Sequence, residues 1–141
     1  MAKTDEPAVF NRIDWRILRE LQANARMSMV ELAERGALSK TPCTDRVRKL
    51  ETRGVLLGYQ AIISPEAVGA AHVAMVQVVM ARTNADALDQ FNAAVKRIPE
   101  VQCCYMIAGG FEYLLKIRNR NIQTYRQLMG DAIANLPGVQ H

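Results

Sequence analysis

Ser39-Lys-Thr-Pro-Cys-Thr-Asp-Arg-Val-Arg-Lys-Leu50 carries an apolar seam and a basic, hydroxyl-rich face on one short stretch of chain. Cys43, Val47 and Leu50 stand at i, i+4 and i+7, which predicts a helix docked on a core along one side. Lys40, Thr41, Thr44, Asp45, Arg48 and Lys49 then point elsewhere. Such a face suits the DNA major groove, but a solvated surface helix has the same pattern. The flanking segments decide between the two.

Upstream, Asn11 can cap a helix whose third residue is Asp14, with Phe10 and Trp15 placed as a hydrophobic staple. Ile13, Ile17, Leu18 and Leu21 form its 3.6-residue stripe, which ends near Ala23. Ser28 and Glu31 form a second capping box, opening a short helix that Gly36 can terminate. The third helix starts at Ser39 or at the Thr41-Pro42 pair, because proline is tolerated in a first turn, and Gly54 stops it after Arg53. Three helices with a tight turn between the second and third spell a helix-turn-helix, whose third helix would enter the groove, although small three-helix units also serve as plain interaction domains.

The bulk composition agrees without deciding the matter. The 141 residues suffice for one domain or two small ones, half of them are apolar, and the net charge is only +4. Charge is densest around the opening helix, where Lys40, Arg46, Arg48, Lys49 and Arg53 stand against Asp45 and Glu51. An odd set of cysteines, Cys43, Cys103 and Cys104, without a signal-peptide pattern points to a reducing, cytoplasmic setting, and core packing is their expected role. No apolar run approaches a membrane span, so no membrane partner is expected. The two histidines, His72 and His141, have no nucleophile or metal motif around them, so no catalytic and no metal-ligating residue is expected.

Beyond the third helix, Leu56 to Ile63 is rich in strand formers and reads as a short strand within a linker punctuated by Pro65 and Gly69. Val73 to Ala81 is a near-continuous apolar run suited to a buried strand. Leu88, Phe91, Val95 and Ile98 set a helix that Pro99 ends, and Val101, Cys103, Tyr105 and Ile107 alternate along a second strand. Gly109-Gly110-Phe111-Glu112 reads as a hairpin connection. Tyr113, Leu115 and Ile117 mark a third strand, and Ile122, Tyr125, Met129, Ala132 and Leu136 a last helix. Strand, helix, strand, strand, helix is the split βαβ, ferredoxin-like order short of its final strand.

Ile13-Asp-Trp-Arg-Ile-Leu18, Leu32-Ala-Glu-Arg35, Leu38-Ser-Lys-Thr-Pro-Cys43, Arg46-Val-Arg-Lys-Leu-Glu51 and Gly54-Val-Leu-Leu-Gly-Tyr59 resemble the winged helix-turn-helix of the Lrp/AsnC (feast/famine) transcription regulators. Leu-Ser-x-x-Pro-Cys running into Arg-Val-x-x-Leu-Glu is the most specific part, and the resemblance extends over nearly everything after the first residues. It implies an α+β protein with a flexible arm (1–10), a helix-turn-helix DNA-binding domain (11–55), a strand and hinge (56–71), and a ferredoxin-like effector-binding and oligomerisation domain (72–141). Double-stranded DNA, a small-molecule effector such as an amino acid, and further copies of the chain, as homodimers assembling to tetramers or octamers, are the implied partners. No other cofactor is implied.

DNA contacts are expected from Ser39, Lys40, Thr41, Thr44, Asp45, Arg46, Arg48 and Lys49. By helical phase, Lys40, Thr44, Asp45 and Arg48 lie nearest base edges and Ser39, Thr41, Arg46 and Lys49 nearer phosphates, with Arg12 and Arg26 as further backbone candidates. The family's Gly-x-x-Asp turn, where an effector sits between dimers, aligns with Gly109, Gly110, Phe111 and Glu112. Glycines expose backbone N–H groups to a ligand carboxylate, and an acidic side chain takes an ammonium. A plain hairpin is the alternative, and Glu112 adds one methylene to the usual Asp. Two more departures stand out. The family's turn glycine usually falls one place after Gly36, so a left-handed Ala37 would cost about 1 kcal/mol. The family also continues past Leu136-Pro-Gly-Val139 into a fourth strand, so an open sheet edge is expected here. An architectural DNA-wrapping protein with little sequence choice is the nearest rival, and a ferredoxin-like binding protein or enzyme with a helical extension is the rival from another class.

Overall fold

The computed structural model describes residues 9–36 and 38–141. All but the last two residues of the expected arm, and the turn residue Ala37, lie outside the described residues. The chain divides into two compact units, Met1–Ile62 and Ile63–His141.

In the first unit, α1 (Arg12–Ala23), α2 (Met29–Gly36) and α3 (Lys40–Thr52) follow in order. Asn11 closes a complete capping box with Asp14, and Phe10 meets Trp15 edge-on at 5.2 Å as the staple requires. Ser28 Oγ accepts the Glu31 N–H at 3.2 Å, which is one half of the expected capping box, while the Glu31 carboxylate pairs with Arg35 at 3.3 Å. Ile17, Leu21, Met27, Leu32, Ala33, Cys43, Val47 and Leu50 form one buried cluster. The seam of α3 therefore packs against α1 and α2, and Gly54 at φ +70° ends the helix in a conformation that favours glycine.

The stretch from Leu56 to Ile63, expected as a strand, forms none. A strand needs a ladder partner, and no described segment pairs with this one. Leu57 and Ile62 stand almost fully in solvent.

The second unit holds β1 (His72–Val78), α4 (Ala85–Val95), β2 (Val101–Met106), β3 (Tyr113–Asn119) and α5 (Ile122–Leu128), followed by a π-helical turn, Met129–Ile133. Both β1 and β2 pair antiparallel with the central β3, giving the order β1-β3-β2 of a split βαβ. Val76, Val78, Tyr113, Leu115 and Ile117 close one face of the sheet with Phe91 and Val95 of α4 and with Ile133 and Leu136. Phe91 stacks on Tyr113 with ring centroids 4.3 Å apart.

Three expectations need correction here. The run beginning at Val73 is not buried on both faces: Val73 and Met75 are 41% and 54% exposed, because helices cover only one side of the sheet. The alternation of β2 breaks at Gln102, where a register shift lets Cys104 as well as Val101 pack on the core and leaves Tyr105 outside. The stripe of the last helix slips at the π turn, so that Ile133 rather than Ala132 is buried.

Where the sequence leads one to expect no fourth strand, Gly138 to His141 already lie along Val79 to Ala81. Ala81 donates to Gly138 O at 2.8 Å, Val79 to His141 O at 2.7 Å, and Gln140 to Val79 O at 2.8 Å. Met80 and Val139 form an antiparallel bridge. Gly138, at φ +78°, brings its backbone close enough to Met80 that a Cβ would stand 2.9 Å from the Met80 methyl.

Candidate nucleic-acid interface and effector loop

The recognition surface follows from how α3 begins. Ser39 is the N-cap residue but makes no side-chain capping bond. Pro42 explains why: it occupies the third helical position and lacks the N–H that a serine cap would hold. The first backbone bond instead runs from Cys43 N–H to Ser39 O at 3.2 Å, leaving the exposed Ser39 hydroxyl without a hydrogen-bond partner among the described residues.

Along α3, Cys43, Val47 and Leu50 are buried while Lys40, Thr41, Asp45, Arg48 and Lys49 are exposed. Thr44 is half-buried, and its hydroxyl donates to Lys40 O at 3.0 Å. Burial pushes the Cys43 thiol up from its ordinary value, as suits an inert packing group. The structure thus places seven of the eight α3 candidates, Ser39 among them, at or near the outward side of the helix.

Arg46 is different. Its guanidinium lies 3.1 Å from Asp14 Oδ1, and this pair is mostly shielded. Asp14 Oδ2 accepts the Asn11 N–H as part of the α1 capping box. Arg46, expected at a phosphate, thus also ties α3 to α1, which helical phase alone did not reveal. Arg46→Ala is expected to cost about 1 kcal/mol of stability, readable as a lower urea midpoint. It should change the salt slope of DNA binding less than Lys49→Ala does, and the reverse order would return Arg46 to the interface.

Tyr59, beyond the end of α3, was not among the candidates. Its hydroxyl donates to Glu51 Oε1 at 2.8 Å. Loss of solvent, then the Glu51 hydrogen bond and charge, push the phenol up to about 12. The contact fastens the chain leaving α3 against the helix. Arg12 and Arg26 are both exposed on the first unit.

In the second unit, Gly109, Gly110, Phe111 and Glu112 form the connection from β2 to β3, as expected. Neither glycine takes a left-handed conformation, so backbone geometry does not account for the pair. Glu112 is already engaged. Its Oε2 accepts the Met80 N–H at 2.8 Å, and its own N–H donates to Val78 O at 3.0 Å. His72 is half-buried, with Nδ1 2.8 Å from Asn119 Oδ1. Among the described residues, no cluster of His, Cys, Asp or Glu could hold a metal ion, and no helix is long and apolar enough to cross a membrane.

A helix-turn-helix unit joined to a ferredoxin-like unit is the build of a DNA-binding regulator with a separate sensory half. Residues 10–56 match the winged helix-turn-helix DNA-binding family, and residues 73–141 match the Lrp/AsnC ligand-binding domain. A proline dehydrogenase transcriptional activator of Rhodobacter capsulatus is 52% identical over 89% of this chain and 82% of its own length. The leucine-responsive regulatory protein of Salmonella typhimurium is 44% identical over 92% of this chain and 79% of its own length. A Neisseria meningitidis transcriptional regulator, solved as an L-Met complex, superposes with a TM-score of 0.87 at 35% identity, covering 94% of this chain and 86% of that one. The chain belongs to the Lrp/AsnC family of transcription regulators.

Proposed function

We propose that α3 reads DNA through Lys40, Thr44, Asp45 and Arg48 at base edges, while Ser39, Thr41 and Lys49 hold phosphates. The observation that carries this reading is the division of α3 itself: its apolar seam is buried, its basic and hydroxyl face is exposed, and the Ser39 hydroxyl is uncommitted. One helix reads too few base pairs for specificity, so the acting species is a dimer on half-sites about one helical turn apart, or a multiple of that. The uncovered sheet face bearing Val73, Met75 and Tyr105 supports pairing of two copies there, with tetramers or octamers built from such dimers.

The β2–β3 connection is the proposed effector site, and an amino acid is the ligand class. The L-Met complex of the Neisseria relative supports that class. Glu112 has one oxygen occupied by Met80, so a ligand ammonium would meet a carboxylate already held in place. The setting proposed for this regulator is the cytoplasm.

Affinity for a palindromic duplex against random duplex at matched salt tests the reading. A regulator prefers the palindrome by about 10³-fold or more, whereas a DNA-wrapping protein shows little preference. Lys49→Ala should weaken binding to both duplexes alike and flatten the salt slope by about one unit per protomer. An unchanged slope would remove Lys49 from the interface. For the effector loop, a thermal-shift screen of the amino acids on the full chain should raise its apparent stability with at least one of them. No shift with any would remove Gly109 to Glu112 as an amino-acid site.

A further inference from the structure

The outward face of α1 is a positive surface that DNA reading by α3 leaves unused. Arg12, Arg16 and Arg19 stand at i, i+4 and i+7, so they form one row about 10 Å long on the side away from Ile17 and Leu21. The carboxylates of α1 do not neutralise that row. Asp14 is held by Arg46 at 3.1 Å and Glu20 by Arg35 at 3.2 Å. None of the three arginines forms an ion pair among the described residues, and all three are exposed.

Trp15 lies beside this row and is 58% exposed, an unusual fate for the chain's single tryptophan. It lines two hollows at once. One is bounded by Arg12, Arg16, Arg19 and Glu20, the other chiefly by Leu18, Leu21, Val55, Leu56 and Tyr59. A basic trough therefore continues into an apolar one across a single indole.

We propose that this face docks an acidic segment of a partner protein that carries apolar anchor residues beside its carboxylates. Charge complementarity selects the acidic character, with guanidinium forks matched to carboxylates. The adjoining apolar hollow selects a peptide over a nucleic acid, because a phosphate backbone has no group to fill it. Arginine and tryptophan are also the side chains that dominate protein interfaces. The buried seams of α1 and α3 share one core, so their outward faces open on different sides of the unit. A partner on α1 can thus be held while α3 lies in its groove, and Arg12 belongs to this face rather than to the DNA contacts.

The probe is a synthetic Asp/Glu-rich peptide with Leu and Phe at i, i+3 and i+4, titrated into the full chain while Trp15 emission is followed. The control is a peptide of equal charge with Ser and Gln in place of the apolar residues. A saturable blue shift with the first peptide and not the second is expected, both without DNA and on the chain bound to its duplex. The Arg16→Glu, Arg19→Glu double variant should weaken that binding about tenfold or more, and Arg16→Gln should weaken it less. No shift, an equal response to the charge-only peptide, or displacement of the peptide by duplex DNA would each overturn the proposal, the last by making the face a second DNA contact. Because the titration is first made without DNA, its failure is separate from any failure of the groove assignment.

Discussion

Phe91→Ala is expected to remove about 3–5 kcal/mol from the second unit, the largest loss foreseen for any single truncation in the chain. Phe91 is fully buried, faces Tyr113 in a stacked pair and joins α4 to the sheet. Removing the ring leaves a cavity bounded by β3 and the π turn, neither of which can collapse far without breaking the ladder. The stacking contributes up to about 1 kcal/mol beyond the area buried. A loss of this size is comparable to the whole stability of a small domain. Urea unfolding followed by circular dichroism measures it, and Phe91→Leu should retain more than half of what the alanine loses. A loss below about 1 kcal/mol would mean that α4 is held by something other than this ring.

Arg48→Ala should act on binding rather than on folding. The side chain is exposed and has no ion-pair partner among the described residues, so stability should change by less than about 0.5 kcal/mol. Discrimination at one base position should fall by about 1–3 kcal/mol per half-site, twice over on a symmetric site. Affinities for a set of single-base variants of the palindrome measure this. A uniform fall across all variants would turn Arg48 into a phosphate contact.

Much of the first unit was legible from its sequence, because its signals are local. The Asn11–Asp14 box, the Ser28 cap, the Cys43–Val47–Leu50 seam and the Gly54 stop are each written within a few residues. Arg46 was not legible, since its partner Asp14 lies 32 residues away on another helix. In the second unit two of the errors are shifts of a single residue. Alternation from Val101 pointed to Cys103, and only the bulge at Gln102, which no pattern announces, turned Cys104 to the core. The π turn likewise put Ile133 in the place expected for Ala132. The absent strand at Leu56 to Ile63 failed for another reason: strand propensity describes the segment, whereas a ladder requires a neighbour.

The π turn at Met129–Ile133 works as a vernier between two fittings that would otherwise be geared together. Upstream of it α5 is seated by its Asn121 cap, and downstream Ile133, Leu136 and the Gly138–His141 segment must meet Val79 to Ala81 in one register. A plain α-helix would make each setting dictate the other. One surplus residue is absorbed in the turn, and adding a second, which it could not absorb, would turn everything after it by about 100° about the helix axis. Leu136 would then swing off the core and carry the end of the chain with it.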